Sequence, residues 1–389
     1  MYTPTTHLWP EKSKGRLIFL SFCFALLSMY PIYRNFYYSN GMLTYERHKA
    51  VIEGRSEFYN PWQYRILCPY VVEGTMWVYD HTIDKVFPIE EGLKFNIEST
   101  SGTSAETDEF VNLMRTRGVM KYMIIFILFR FTEHVFIFYL AWRLWNYFVK
   151  SKWLIFFGIN FLALALGNAV TAADLSFNTY LDIIFYLVTA NLIVYNKNKA
   201  WLFLIVPLSA FNRETALLIP ALYFISETDF TGFSLKKSGL TNISSPPKKV
   251  WVNTIILYLI FFAIFFAIRS YYGYRPQQVW KAKAGFEMLK LNLFSAVAAK
   301  SYFELIGTFG VIPFIILYKF KWFPHLLKKW FVFLVPIWFA VHYVSVVTYQ
   351  TRLFMVPIIL IFMPMMLWLV ETEIFQRVTY VSPAKKQAT

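Results

Sequence analysis

Apolar residues in this chain run in long unbroken stretches, separated by short polar turns and one long polar insertion. Runs of about 20 apolar residues are the length of a helix that crosses a bilayer. Stretches of that kind lie at 17–33, 119–147, 153–171, 179–195, 250–268, 302–318, 330–348 and 353–371. The pattern predicts eight full spans in one all-α transmembrane helix bundle covering 1–389. A ninth stretch, 201–225, is apolar in two halves divided by Asn212-Arg213-Glu214-Thr215. One straight helix would hold Arg213 and Glu214 near mid-bilayer, at about 2.5–3.5 kcal/mol per charge. Two half-helices forming a re-entrant-like hairpin would carry them at its tip instead.

Loop charge decides between these. With Lys12, Lys14 and Arg16 in the cytoplasm, a hairpin at 201–225 puts every short basic loop on the same side. Those loops hold Lys150 and Lys152; Lys197 and Lys199; Lys236, Lys237, Lys248 and Lys249 in the cytoplasmic loop 226–249; Lys319, Lys321, Lys328 and Lys329; and Lys385 and Lys386 in the tail. A single crossing would invert all the later ones. Both termini are therefore expected in the cytoplasm. The insertion 34–118 then faces outward, with twelve Asp and Glu against nine Lys and Arg. Its amphipathic stretches Tyr45–Gly54 and Tyr64–Tyr79 predict helices lying on the outer membrane surface. A second outer loop, 269–301, mixes aromatics with Arg275, Lys281, Lys283 and Lys290. Asn242-Ile243-Ser244 fits a glycosylation sequon, but it falls in the cytoplasmic loop and is expected to stay unmodified.

Composition agrees with the pattern. Hydrophobic residues are 57% of the 389, charged residues only 16%, and mean hydropathy is +0.44. A chain this apolar has too little polar surface for a water-soluble core. The net charge of +15 would raise nucleic acid in a soluble protein. Here it fits basic cytoplasmic loops and anionic lipid, and no nucleic-acid partner is expected. Two cysteines, Cys23 and Cys68, exclude a disulfide framework. No Walker A loop, GxGxxG, HExxH or zinc-ligand spacing occurs.

The topology gathers costly residues on the outer side: Glu46, Arg47, Arg65, Asp174, Arg213, Glu214, Glu304 and Arg352. Guanidinium forks match phosphate oxygens, and a carboxylate there could deprotonate or orient a hydroxyl. Asp174 could equally cap a helix, and Asp182 lies two turns further on. Arg130, Glu133 and His134 share one face of the second span. They read as a mutually satisfied packing cluster or, alternatively, as a proton relay. His342 reads as a packed helix histidine.

Three local patterns resemble the GT-C superfamily of multi-span glycosyltransferases that use polyprenyl-phosphate-linked sugars. They are Tyr45-Glu46-Arg47-His48-Lys49-Ala50-Val51-Ile52-Glu53-Gly54 with Asn60-Pro61-Trp62-Gln63-Tyr64-Arg65-Ile66-Leu67-Cys68-Pro69; Asp174 followed by a span and a basic turn; and Asn212-Arg213-Glu214-Thr215-Ala216-Leu217-Leu218-Ile219-Pro220. The family's acid just after the first span has no counterpart at 34–45, and Glu46 is the nearest carboxylate. The resemblance implies transfer of a sugar from a polyprenyl-phosphate donor to a glycan, lipid or protein acceptor, in the cell envelope of a bacterial plasma membrane. It implies Glu46 or Asp174 as the catalytic group. Arg47, Tyr64, Arg65, Arg213, Glu214 and Arg352 would bind substrate among membrane lipid. A divalent metal is compatible with this chemistry, though no ligand cluster points to one. The alternatives are a lipid-linked glycan polymerase or ligase, and a transporter or flippase using Arg130, Glu133 and His134.

Overall fold

The computed structural model describes residues 14–35, 41–54, 62–92, 111–169, 173–228, 246–273 and 282–375. These are mostly helical, with no strand among them. In chain order the main helices are α1 Lys14–Tyr33, α2 Gly41–Ile52, α3 Leu67–His81, α4 Val119–Phe148, α5 Lys152–Ala169, α6 Ala173–Val194, α7 Leu202–Asn212, α8 Leu218–Glu227 and α9 Lys248–Tyr272. Then come α10 Phe286–Phe294, α11 Ala296–Phe309, α12 Ile312–Tyr318, α13 His325–Ser345 and α14 Thr351–Glu373.

Six of these are long and apolar enough to cross a membrane, and a seventh span arises if α11 and α12 count as one. The protein is a multi-pass helical membrane bundle. The eight spans expected from the sequence differ at two places. The apolar part of α1, Leu17–Tyr33, falls among the shorter helices. The stretch read as one span at 302–318 is bent by 65° between α11 and α12. Gly310 sits at the bend with φ +54°, a conformation other residues adopt only with strain, and Pro313 follows inside the first turn of α12.

The stretch 201–225 does fold back on itself. Lys199, ahead of α7, lies 4.0 Å from Glu227 at the end of α8. Arg213, with extended backbone, turns the chain between them, and a short tight helix over Glu214–Leu217 leads into α8. α8 runs antiparallel to α9: Glu214 meets Arg269 near one end, and Phe224 meets Trp251 near the other.

The basic turns share the end of the bundle opposite that tip. Glu371 accepts the backbone N–H of Lys150, and the nearby Glu373 pairs with Lys319 at 2.9 Å. Lys329 donates to the carbonyls of Ser226 and Thr228 beside the hairpin base.

α9 and α14 are the two most apolar spans, yet 78% of the central window of α14 is buried against 22% for α9. α14 is thus the axis of the bundle and α9 a peripheral helix. Wider helical turns over Ile358–Phe362 release backbone carbonyls inside this core. The indole of Trp145 in α4 donates to the carbonyl of Ile359 at 2.9 Å, and Trp338 in α13 donates to that of Leu353 at 2.7 Å. α5 approaches closely through Gly167, where a Cβ would lie 2.5 Å from the Tyr30 ring. A second, smaller apolar cluster joins Cys68, Val72 and Met76 of α3 to the start of α4. It seats the described part of the 34–118 insertion on the bundle. The segment 98–109, the sequon at 242–244 and the loop residues Arg275 and Lys281 lie outside the described residues.

Candidate functional site

At the hairpin tip, charged side chains arrive from separate segments. Glu214 is gripped twice, by Arg65 at 3.0 Å from just before α3 and by Arg269 at 3.3 Å from the last turn of α9. Arg213 points the other way and lies 3.5 Å from Asp182, one residue from the middle turns of α6. That carboxylate and guanidinium are both deeply buried, at 1% and 6% exposure. The hydroxyl of Thr215 donates to the Oδ2 of Asp182 at 2.9 Å, and the hydroxyl of Tyr186 donates to the carbonyl of Thr215. The side-chain amide of Asn212 donates to the carbonyl of Asn178 at 2.9 Å. The tip is therefore stitched to α6 by an ion pair and three hydrogen bonds. This is what allows a polar tetrapeptide to sit inside an apolar bundle.

Arg352, at the start of α14, is buried and donates to the Oε1 of Gln350 at 2.6 Å. The positive charges of Arg213, Arg65 and Arg47 all act on it. Among the described residues, Arg47, Arg65, Arg213, Arg269 and Arg352 bring five positive charges to this end. Asp182 pairs with Arg213, Glu214 with Arg65 and Arg269, and Glu46 stands beside Arg47.

Of the residues singled out in the sequence, Arg65, Arg213, Glu214 and Arg352 do meet here. Glu46 is exposed on α2 next to Arg47. Asp174 lies in the first turn of α6, and its side chain is outside the described residues. Tyr64 is buried; its hydroxyl donates to the carbonyl of Gly273 at 2.9 Å, and its ring lies 4.4 Å from the Arg269 guanidinium. Tyr64 thus carries Arg269 toward Glu214. Glu304 is exposed on α11. His342 is buried and hydrogen-bonded to the carbonyl of Trp338 at 2.7 Å, as a packed helix histidine. Arg269 was not among the site residues expected from the sequence. It ends an apolar span, where a basic residue ordinarily marks the interface. Its only signal was its place beside Tyr271 and Tyr272, which other belts share.

A second polar cluster lies on α4. Arg130, Glu133 and His134 of α4 are all buried. The guanidinium of Arg130 lies 4.0 Å over the Phe177 ring. His134 packs edge-on to Tyr180, whose hydroxyl donates to Asn35 at 3.0 Å. Neither carboxylate oxygen of Glu133 has a hydrogen-bond partner among the described residues. The expected mutual satisfaction of this trio is therefore incomplete. Cys68 stands between the clusters, 3.5 Å from the Oδ1 of Asn212 and within electrostatic reach of Glu133.

Among the described residues, no three His, Cys, Asp or Glu groups are placed to hold a metal ion. Compared with known protein families, curated proteins and solved structures, the chain matches none.

Proposed function

We propose that this protein is a membrane glycosyltransferase of the GT-C kind, moving a sugar from a polyprenyl-phosphate-linked donor to an acceptor at the extracytoplasmic face. The observation that carries this reading is the crowding of Arg47, Arg65 and Arg213 around Arg352. Guanidinium groups gathered from separate segments at one end of an apolar bundle suit an anion, and their planar forks match phosphate. In the proposed reaction the acceptor hydroxyl oxygen bonds to the anomeric carbon while the bond from that carbon to the phosphate oxygen breaks. The hydroxyl proton passes to Glu46 or Asp174, and the arginines stabilise the lipid phosphate as it leaves. Glu214 and Tyr64 hold Arg65 and Arg269 in place.

The test is transfer from a polyprenyl-phosphate sugar by the purified protein, with lipid-phosphate binding measured alongside. Arg352→Gln should weaken binding about tenfold to a hundredfold, the worth of one or two charge-assisted hydrogen bonds. Glu46→Gln or Asp174→Asn should abolish transfer and leave binding intact. Full transfer by both amide variants overturns the assignment. A second reading, a lipid-linked glycan polymerase or ligase, draws support from the absence of a carboxylate at 34–45. Tighter binding of a diphosphate-linked oligosaccharide than of a monophosphate-linked sugar would select it.

A further inference from the structure

A lateral cavity of about 630 Å³ opens between α1 and α4, at the basic end of the bundle and away from the arginine cluster. Its walls are graded. Leu20 and Phe24 of α1 face Phe136 and Trp142 of α4 along most of its length. Arg143, Asn146 and Tyr195 close one end. From Val135 to Asn146 the groove follows α4 for about 16 Å at the usual helical rise. The two helices run antiparallel past each other, with the Phe24 ring 6.1 Å from Phe138 and 6.2 Å from Trp142. Leu17 and Phe136 on its rim are 63% and 53% exposed, so the groove opens sideways, toward what surrounds a membrane helix.

Its polar end is cationic. The Arg143 guanidinium lies 4.9 Å from the Tyr195 ring, and among the described residues no carboxylate pairs with it. Lys152 donates to the Oδ1 of Asn146 at the same end. Glu371 receives the backbone N–H groups of Lys150 and Ser151, in the turn after α4, at 2.9 and 2.6 Å. A guanidinium without an acid, at the foot of an apolar channel on the surface of a spanning helix, is the complement of one amphiphile.

We propose that this groove holds one bilayer phospholipid with an acidic headgroup, its phosphate at Arg143 and Lys152 and an acyl chain along Leu20, Phe24 and Phe136. Charge favours an acidic over a zwitterionic headgroup, and anionic lipid collects at basic membrane surfaces. The site is separate from the arginine cluster, so it stands whether or not that cluster handles a lipid-linked sugar.

The experiment reconstitutes the full chain in vesicles of phosphatidylcholine, with and without phosphatidylglycerol. It then extracts the protein gently and weighs the lipid that stays bound by native mass spectrometry. The intact protein should keep one phosphatidylglycerol in preference to phosphatidylcholine. Arg143→Gln should lose about fivefold of that preference, the effect of one basic residue at an anionic surface. Arg143→Lys should keep most of it. Ser21→Phe, which fills the groove, should shed lipid of either headgroup; if it does not fold, the two Arg143 variants decide alone. Equal retention of both lipids by the intact protein overturns the proposal, as does undiminished preference in Arg143→Gln. Displacement of the bound lipid by added polyprenyl phosphate also overturns it, and would assign the groove to that lipid.

Discussion

Two polar clusters lie inside one apolar bundle, separated by Cys68 and Asn212, and they are built on opposite principles. At the hairpin tip each carboxylate is met by a guanidinium from a distant part of the chain: Asp182 by Arg213, and Glu214 by Arg65 and Arg269. In α4 the acid and base are three residues apart, yet Arg130 lies on Phe177 and the oxygens of Glu133 receive no donor among the described residues. Charges that tie segments together are structural as well as chemical. A carboxylate that receives no donor among the described residues, like Glu133, is costly to bury.

The largest effect should come from breaking the best-buried cross-link. Asp182→Asn leaves the Arg213 guanidinium without its charge partner and should cost about 3–5 kcal/mol, read from unfolding in detergent. Adding Arg213→Met to that variant should return part of the loss, and strictly additive losses would show that the pair is not coupled.

A smaller effect should follow pH. His48 of α2 meets Glu73 at 2.8 Å, but burial outweighs that contact and holds its pKa below the ordinary 6.5. The unfolded chain therefore binds this proton more readily than the folded one. Stability is then fully present above pH 6.5 and falls below it, by at most about 1.4 kcal/mol per pH unit. Substituting His48→Gln should flatten that slope; an unchanged slope would place the titration elsewhere.

Glu133→Gln should sharpen the contrast from the other side. It breaks no hydrogen bond seen among the described residues, so stability should change by less than about 1 kcal/mol. A loss as large as that of Asp182→Asn would mean that Glu133 is held as tightly as the tip. Proton-coupled flux in vesicles that vanishes in this variant would favour a transporter over a transferase. Least of all should change with Glu227→Gln at the hairpin base. The pair with Lys199 is long and partly exposed, and its loss should cost about 0.5 kcal/mol or less in the same unfolding measurement.

Much of the tip was readable from the chain because cost is readable. Arg213 and Glu214 interrupt an apolar stretch, and only a fold-back reconciles them with the basic loops; the bundle has that fold-back. Arg65 and Arg352 stood out in the same way. Arg269 did not, since a base at the end of a span is ordinary punctuation, and only the packing of α9 on Tyr64 gives it a partner. Asp182 was legible as a second acid two turns beyond Asp174, but not as the counter-charge of Arg213, which depends on how deep the hairpin reaches. The bend at Gly310 was missed because apolarity continues through it. Hydropathy reports solvent preference and is blind to direction. The same blindness hid the difference between α9 and α14, both strongly apolar but one peripheral and one central.

The double grip on Glu214 also orders the protein's birth. Arg65 and Asp182 have already left the ribosome when the hairpin emerges, so both tip charges find a partner waiting as they enter the membrane. Arg269 comes 55 residues after Glu214 and can join only once α9 has followed. The tip is thus closed in two stages, first by older segments and then by a younger one. A chain halted before α9 should carry a hairpin already seated but not yet locked.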